Sequence, residues 1–290
     1  MVRAMKITEI DFAAFDTETT GLDVKADRIV EFGVALFVQG ALSARGSSGF
    51  NPGIPIPDEA RNVHGIGDAQ IANRPPFASF LPRLREKFDN TPLIVGFNCR
   101  HFDVPVINAE CERAGSDWRV PESKILDVKA FVDWHHRGER KRTQEAMALL
   151  YELKAENLHT AAVDAHLTGQ LLLTMVDRGL IPDDVDQARD QEREFLKTID
   201  DEFRRWSYWV YRDRQTRRLR MGAGGQCGRY LNEIGAKLSW YLNNIDSLTE
   251  DARRVFEDAR DGRLQNELQE SMTTDVTIRA SDEVKWGGWS

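Results

Sequence analysis

The feature that most narrows what this chain can fold into is a pair of acids, two residues apart, closing an apolar run: Phe15-Asp16-Thr17-Glu18-Thr19-Thr20-Gly21-Leu22. Alternate side chains of a β-strand share a face, so Asp16 and Glu18 point the same way. Two carboxylates converging at a strand end repel each other and lose hydration, a cost that a divalent cation offsets. Taken alone, the pair also reads as an exposed strand edge with two solvated acids.

Two later motifs change the balance. Asn98-Cys99-Arg100-His101-Phe102-Asp103 follows the strand-like run Leu93-Ile94-Val95-Gly96-Phe97 and opens an amphipathic segment from Val104 to Arg113. Asp103 therefore falls in the first turn of a helix, where the helix dipole favours a carboxylate; a simple cap is the alternative. The third motif, His159-Thr160-Ala161-Ala162-Val163-Asp164, leads into Ala165 and the apolar-rich stretch Leu167 to Val176. That stretch predicts a long, mostly buried helix with Asp164 near its start. Ala161, Ala162 and Ala165 are small enough to bring it close to a sheet.

In their order and context these motifs resemble the DEDDh exonucleases, the family that includes the proofreading subunit of bacterial DNA polymerase III. The resemblance covers residues 8 to 180. It places Asp-x-Glu on Asp16 and Glu18, the second motif's acid on Asp103, and His-x-Ala-x-x-Asp on His159 and Asp164. Arg28-Ile29-Val30-Glu31-Phe32-Gly33-Val34-Ala35 resembles the family's second strand, and Val63-His64-Gly65-Ile66 its substrate-side loop. It further implies a ribonuclease H-like fold and release of nucleoside 5′-monophosphates in the 3′ to 5′ direction. Thr19, Gly21 and Leu22 then approach the terminal base and sugar, with Leu22 as a wedge, and His64, Asn98 and Phe102 line the rest of the pocket. On the residues alone, Gly21 reads equally as a turn glycine and Phe102 as core.

Phosphodiester hydrolysis needs an activated water, a stabilised leaving oxygen and charge neutralisation at phosphorus. Two cations about 3.5–4 Å apart supply all three. Four carboxylates, Asp16, Glu18, Asp103 and Asp164, suit Mg²⁺, and Mn²⁺ is expected to substitute. His159 is the nitrogen base of the set, with a pKa range suited to taking a proton from water. On a continuous helix His159 and Asp164 would splay by about 140°, which predicts that His159 stands on the loop before the helix.

The 290 residues can bury a sizeable core and carry an accessory module. Met1 to Thr8 lacks the apolar core of a secretory signal, and no run is long and apolar enough to span a membrane. Cys99, Cys111 and Cys227 have no paired spacing and read as reduced thiols, so a cytoplasmic protein with no membrane partner is expected. The net charge of −8 does not exclude a nucleic-acid partner, since metal ions rather than arginines can neutralise phosphate. Between Arg204 and Arg229, Arg204, Arg205, Arg212, Arg214, Arg217, Arg218, Arg220 and Arg229 face a single acid, Asp213, with Trp206, Tyr208, Trp209 and Tyr211 interleaved. Such a segment can track a nucleic-acid backbone. It reads as well as a β-hairpin over Tyr208 to Met221 that turns near Asp213 to Thr216 and packs its aromatics inward.

Patterning predicts strands at 11–19, 28–38, 43–50, 93–98 and 124–127, with the first two paired, and helices at 77–90, 104–114, 144–153 and 160–178. This is an α/β arrangement: a ribonuclease H-like mixed sheet flanked by helices, followed by a smaller C-terminal α+β extension. The expected divisions are an exonuclease domain at 1–180, a helix, hairpin and nucleic-acid-binding accessory module at 181–262, and a flexible tail at 263–290. Phe195, Leu196, Ile199 and Phe203 are expected on the buried stripe of a connecting helix. The function these readings predict is a 3′–5′ exonuclease on single-stranded or frayed DNA 3′ ends, with a polymerase or repair partner. An exoribonuclease of the same fold and a non-catalytic nucleic-acid-binding adaptor are the alternatives.

Overall fold

The computed structural model describes residues 4–154, 160–213 and 216–264. The chain forms two compact units, Met1–Asp201 and Glu202–Ser290. Helix α8 (Val185–Trp206) runs across that division.

The first unit is built on a five-stranded sheet in the order β3-β2-β1-β4-β5. Strands β1 (Phe12–Thr19) and β2 (Ile29–Val38) pair antiparallel, as do β2 and β3 (Ala41–Gly49). The β2–β3 connection is a two-residue turn in which Gln39 and Gly40 both have positive φ, the backbone that matches the twist of a tight hairpin. Strands β4 (Leu93–Gly96) and β5 (Ile125–Asp127) add in parallel on the other side of β1. Strand β3 is almost wholly exposed and rich in serine and glycine, a polar edge that discourages further pairing.

Helices cover both faces. After β3 come α1 (Asp58–His64), α2 (Asp68–Ile71), α3 (Leu81–Asn90) and, beyond β4, α4 (Asp103–Arg113). Then follow α5 (Val128–His135), α6 (Gln144–Leu150) and α7 (Ala161–Asp177). One core sets Phe12 and Ala14 of β1 and Ala35 and Phe37 of β2 against Ala165, Leu171, Leu172 and Met175 of α7. The other sets Phe15 and Phe32 against Leu84 and Phe88 of α3 and Val104 and Ile107 of α4. Even-numbered positions of β1 thus face α7, and that alternation carries on to Asp16 and Glu18 at the strand's C-terminal end.

Helix α7 starts directly on the sheet. Asp16 pairs with Gly33 of β2, and a Cβ added at Gly33 would lie 2.0 Å from the carbonyl carbon of Ala161. Further along, a Cβ on Gly169 would lie 2.1 Å from the Phe37 ring. Of the small residues expected to permit close approach, Ala161 and Ala165 are fully buried and Ala162 is half-buried, but the strand's own glycine makes the room. Among the described residues no helix is long and apolar enough to cross a membrane.

The strands and helices expected from patterning are present with their ends moved by a few residues, and α1, α2 and α5 are additions. Residues 181–201, expected in the accessory region, belong to the first unit: Val185, Ala188 and Phe195 are buried in its α7-side core. Phe203 is not on the buried stripe of α8; it is 54% exposed. The second unit pairs β6 (Val210–Arg212) with β7 (Leu219–Met221) and adds α9 (Gly235–Asn244) and α10 (Glu250–Arg260). Its core takes Trp206, Trp209, Met221, Leu238 and Phe256. The expected tail lies largely outside the described residues.

The Gly33 contact generates a direct test. Gly33→Ala must push α7 off β2 or distort both, an overpacking cost of about 3 kcal/mol or more, read as a lower urea midpoint at unchanged slope. A midpoint equal to that of the wild type would show that α7 does not sit this close.

Candidate active site

Three carboxylates meet where β1 ends and α7 begins. One oxygen each from Asp16, Glu18 and Asp164 lies within 4.8 Å of the others. Asp16 and Glu18 come from β1 by the strand's alternation, and Asp164 from the first turn of α7, whose positive dipole end favours ionised acids.

Asp103, at the first position of α4, is buried, and its Oδ1 accepts from the Thr17 N–H at 3.0 Å and the Thr17 hydroxyl at 2.6 Å. Thr17 lies between the two β1 acids and points to the opposite face, so it ties α4 to the strand that carries them. Asp103 is outside the tight group of three, yet its charge acts on both Asp16 and Glu18.

The electrostatics are those of like charges held close together. Burial first, then the charges of Asp103, Glu18, Asp164 and Glu31, hold Asp16 well above the usual aspartate range. Burial, Asp164, Glu31 and Asp103 push Glu18 up to about 8. Burial lifts Asp103 to about 6, against the pull of the Thr17 hydrogen bonds. A divalent cation seated among such hard oxygen donors reverses the shifts, so the donor set fits one.

The devices that aim this cluster carry no local signal along the chain. Glu31, the antiparallel partner of Glu18, accepts the Ala161 N–H on Oε2 at 3.0 Å and the Ser47 hydroxyl on Oε1 at 2.7 Å. It therefore caps α7 from the neighbouring strand, a role Thr160 at the N-cap position leaves open. Gln144 of α6 donates to the Asp164 carbonyl at 2.6 Å and to the Thr168 hydroxyl at 2.7 Å, fixing the same first turn.

The loop that delivers Asp103 is held from below. Asp127 at the end of β5 accepts the Asn98 N–H at 2.8 Å and the Arg100 N–H at 3.0 Å. Arg100 makes a paired contact with the fully buried Glu192 of α8, at 2.6 and 3.1 Å, and Glu192 also accepts the Asp127 N–H. Fork-to-carboxylate pairing of this kind fixes direction as well as distance.

Among the expected substrate residues, Thr19 is buried and gives its hydroxyl to the Gly21 carbonyl at 2.6 Å. Gly21 is packed against Asp27, whose carboxylate a Cβ would meet at 2.5 Å, so a side chain there would displace that carboxylate. Leu22, next along, is 86% exposed. His64 is buried beside this turn; its Nδ1 accepts the Ile66 N–H at 3.0 Å. Burial lowers its pKa, opposed by the Thr19 backbone and Glu31. Asn98 is exposed with φ of 62°, a left-handed backbone that asparagine tolerates. Phe102 packs partly into the α3/α4 core. His159 lies outside the described residues.

A family model described as "Exonuclease" (RNase_T) matches residues 13–172. The chain belongs to this exonuclease family. DNA polymerase III subunit epsilon of Treponema pallidum is 29% identical over 170 residues, 58% of this chain and 77% of that protein. DNA polymerase III PolC-type of Caldanaerobacter subterraneus is 26% identical over 170 residues, 59% of this chain, but the match spans only 12% of its own length. In structure, the E. coli exonuclease I–ssDNA complex superimposes with a TM-score of 0.53 at 16% identity, covering 66% of this chain and 43% of that one. The nuclease domain of 3′hExo bound to rAMP gives 0.53 at 14%, covering 61% and 96%. At these identities the structural likeness establishes the fold.

The shifted acids set a pH dependence. Glu18 ionises near 4.5 when unfolded and near 8 when folded, so the folded state holds the extra proton in between. Stability of the chelator-treated protein therefore falls as pH rises across that window and levels off above it. Added Mg²⁺ should raise the melting temperature more at pH 8 than at pH 5. Equal shifts at the two pH values would show that these acids do not take the ion.

Proposed function

We propose that this protein hydrolyses DNA from the 3′ end, releasing nucleoside 5′-monophosphates, with Asp16, Glu18, Asp103 and Asp164 holding a pair of divalent cations. The observation that carries the reading is the convergence of Asp16, Glu18 and Asp164 within 4.8 Å, with Asp103 tied to the same strand through Thr17. Mg²⁺ is the natural occupant and Mn²⁺ a substitute. When bound, the cations supply Lewis-acid polarisation of the phosphate and acidify water.

The chain's own residues do the rest. The acids fix where the scissile phosphate sits, because the sheet and α7 fix the acids. His159 immediately precedes the first turn that carries Asp164, and we assign it the proton removed from the attacking water, as its near-neutral pKa range suits. Leu22 is exposed on a braced turn at the end of β1 and is assigned the face of the terminal base. Thr19, Gly21, His64, Asn98 and Phe102 are assigned the rest of the terminal nucleotide's surroundings. The similarity to epsilon and to PolC-type chains favours a DNA strand, single-stranded or frayed, and a polymerase or repair partner.

The test uses end-labelled DNA with Mg²⁺. Asp16→Asn should cost a factor on the order of 10²–10³ or more, the scale of losing one preorganised electrostatic group. It should also lose the Mg²⁺-induced rise in melting temperature. His159→Gln should lose a factor of about 10²–10⁴ in rate, as for a general base, while keeping that thermal response. An Asp16→Asn protein that releases mononucleotides at the wild-type rate would refute the assignment. Matched RNA run beside the DNA decides the sugar.

A further inference from the structure

A groove of about 560 Å³ opens beside the acid cluster, and its nearest wall is Glu31, the cross-strand neighbour of Glu18. Antiparallel neighbours stand about 5 Å apart, so the groove begins one strand spacing from the cluster. It runs across the polar edge strand β3, past Ser47, to Arg74 and Arg83 on the segments that follow. Its floor is partly apolar, with Phe80 half-buried in it.

Arg74 and Arg83 are exposed, and neither makes an ion pair among the described residues. Elsewhere in this unit arginines such as Arg28, Arg61, Arg85, Arg100, Arg113 and Arg142 are each matched to an acid. The one carboxylate at the groove's wall, Glu31, is turned to the Ala161 N–H and the Ser47 hydroxyl. The groove therefore presents unmatched positive charge beside a site built from negative charge. An acidic chain that follows such a path needs anionic groups on one side and flat apolar groups on the other, which is the chemistry of a single nucleic-acid strand.

We infer that this groove is the path of the substrate strand 5′ to the terminal nucleotide, with Arg74 and Arg83 each contacting a backbone phosphate. The inference rests on the exonuclease reading above. It makes Arg74 and Arg83 binding residues that set preference for longer substrates and leaves the chemistry to the acid cluster.

The experiment compares the full-length wild type with Arg74→Gln/Arg83→Gln on an oligothymidylate and on a dinucleotide, at several salt concentrations. For the oligothymidylate, KM should rise on the order of a hundredfold, the loss of two charge-assisted contacts, with kcat unchanged. The slope of log KM against log salt should shrink by about 1.4, two single-strand phosphate contacts. The dinucleotide should be hydrolysed as before, because its one internucleotide phosphate is the scissile one and leaves none for Arg74 or Arg83. An unchanged KM and salt slope on the long substrate overturn the inference while the exonuclease reading stands. An equal loss on both substrates also overturns it, since the arginines would then act at the acid cluster. A wild type that degrades neither substrate defeats the exonuclease reading itself, and this inference with it.

Discussion

Like-charge repulsion is the constraint on which the rest of the first unit depends. Asp16, Glu18 and Asp164 have oxygens within 4.8 Å of one another, and Asp103 and Glu31 add to the same field. Left alone, side chains in that position would swing apart or keep their protons. The fold prevents the first, so without a cation Asp16 and Glu18 hold their protons well above the usual carboxylate range. Asp16 and Glu18 are fixed by an eight-residue strand paired to β2 along its length and to β4 over its first three residues. Asp164 is fixed by a helix that starts on Gly33, is capped by Glu31 and is braced by Gln144. The scaffold supplies rigidity where the chemistry supplies strain, the usual relation between a site and its fold.

That division explains what was legible in the sequence. Strand period 2 puts Asp16 and Glu18 on one face whatever the rest of the chain does, so local pattern was enough for them. Asp103 and Asp164 were legible as first-turn acids because strand-to-helix transitions carry local signals in Leu93 to Phe97 and in the alanines after Thr160. Glu31 was not legible as a cap, because its partner Ala161 lies 130 residues away and nothing in β2 marks an acid that serves a helix on another segment. Glu192 was hidden for the same reason: on a charged amphipathic stretch it looks solvated, and only the approach of Arg100 shows it to be fully buried. Gly33 reads as an ordinary strand glycine until α7 is laid on it. Helix α5 follows β5 directly and carries Lys129 and Asp133 among its apolar residues, so its short pattern did not stand out.

The second unit shows the opposite failure, where composition offered more than the fold uses. Trp206, Trp209 and Tyr211 are buried. Arg218 and Arg220 lie on either count 3.8 Å from the Tyr230 ring centre, and Arg220 also pairs with Asp213 at 2.8 Å. Much of the arginine and aromatic run is therefore committed to holding a small hairpin unit together, since a domain of this size has little core to spare. Arg217, Arg229, Tyr208 and Trp240 still face outward. Alternation along a sequence cannot tell a cation stacked inside from one offered outside, because both keep their charge near the surface.

Leu22 is placed by a different constraint. A large apolar side chain that is 86% exposed gains nothing from burial. Yet the turn that carries it is heavily built. Asp27 takes the Thr20 hydroxyl at 2.7 Å and the Asp23 N–H at 2.8 Å, Thr19 bonds the Gly21 carbonyl, and a side chain on Gly21 would displace the Asp27 carboxylate. Ordering a turn costs conformational entropy, and here the order serves a residue the folded chain does not bury. The same turn begins one residue after Glu18's strand neighbour Thr19, so the exposed leucine is held at a set distance from the acids. Under the proposed activity, this rigid apolar group is the fixed stop assigned to the terminal base while the phosphate lies at the acids.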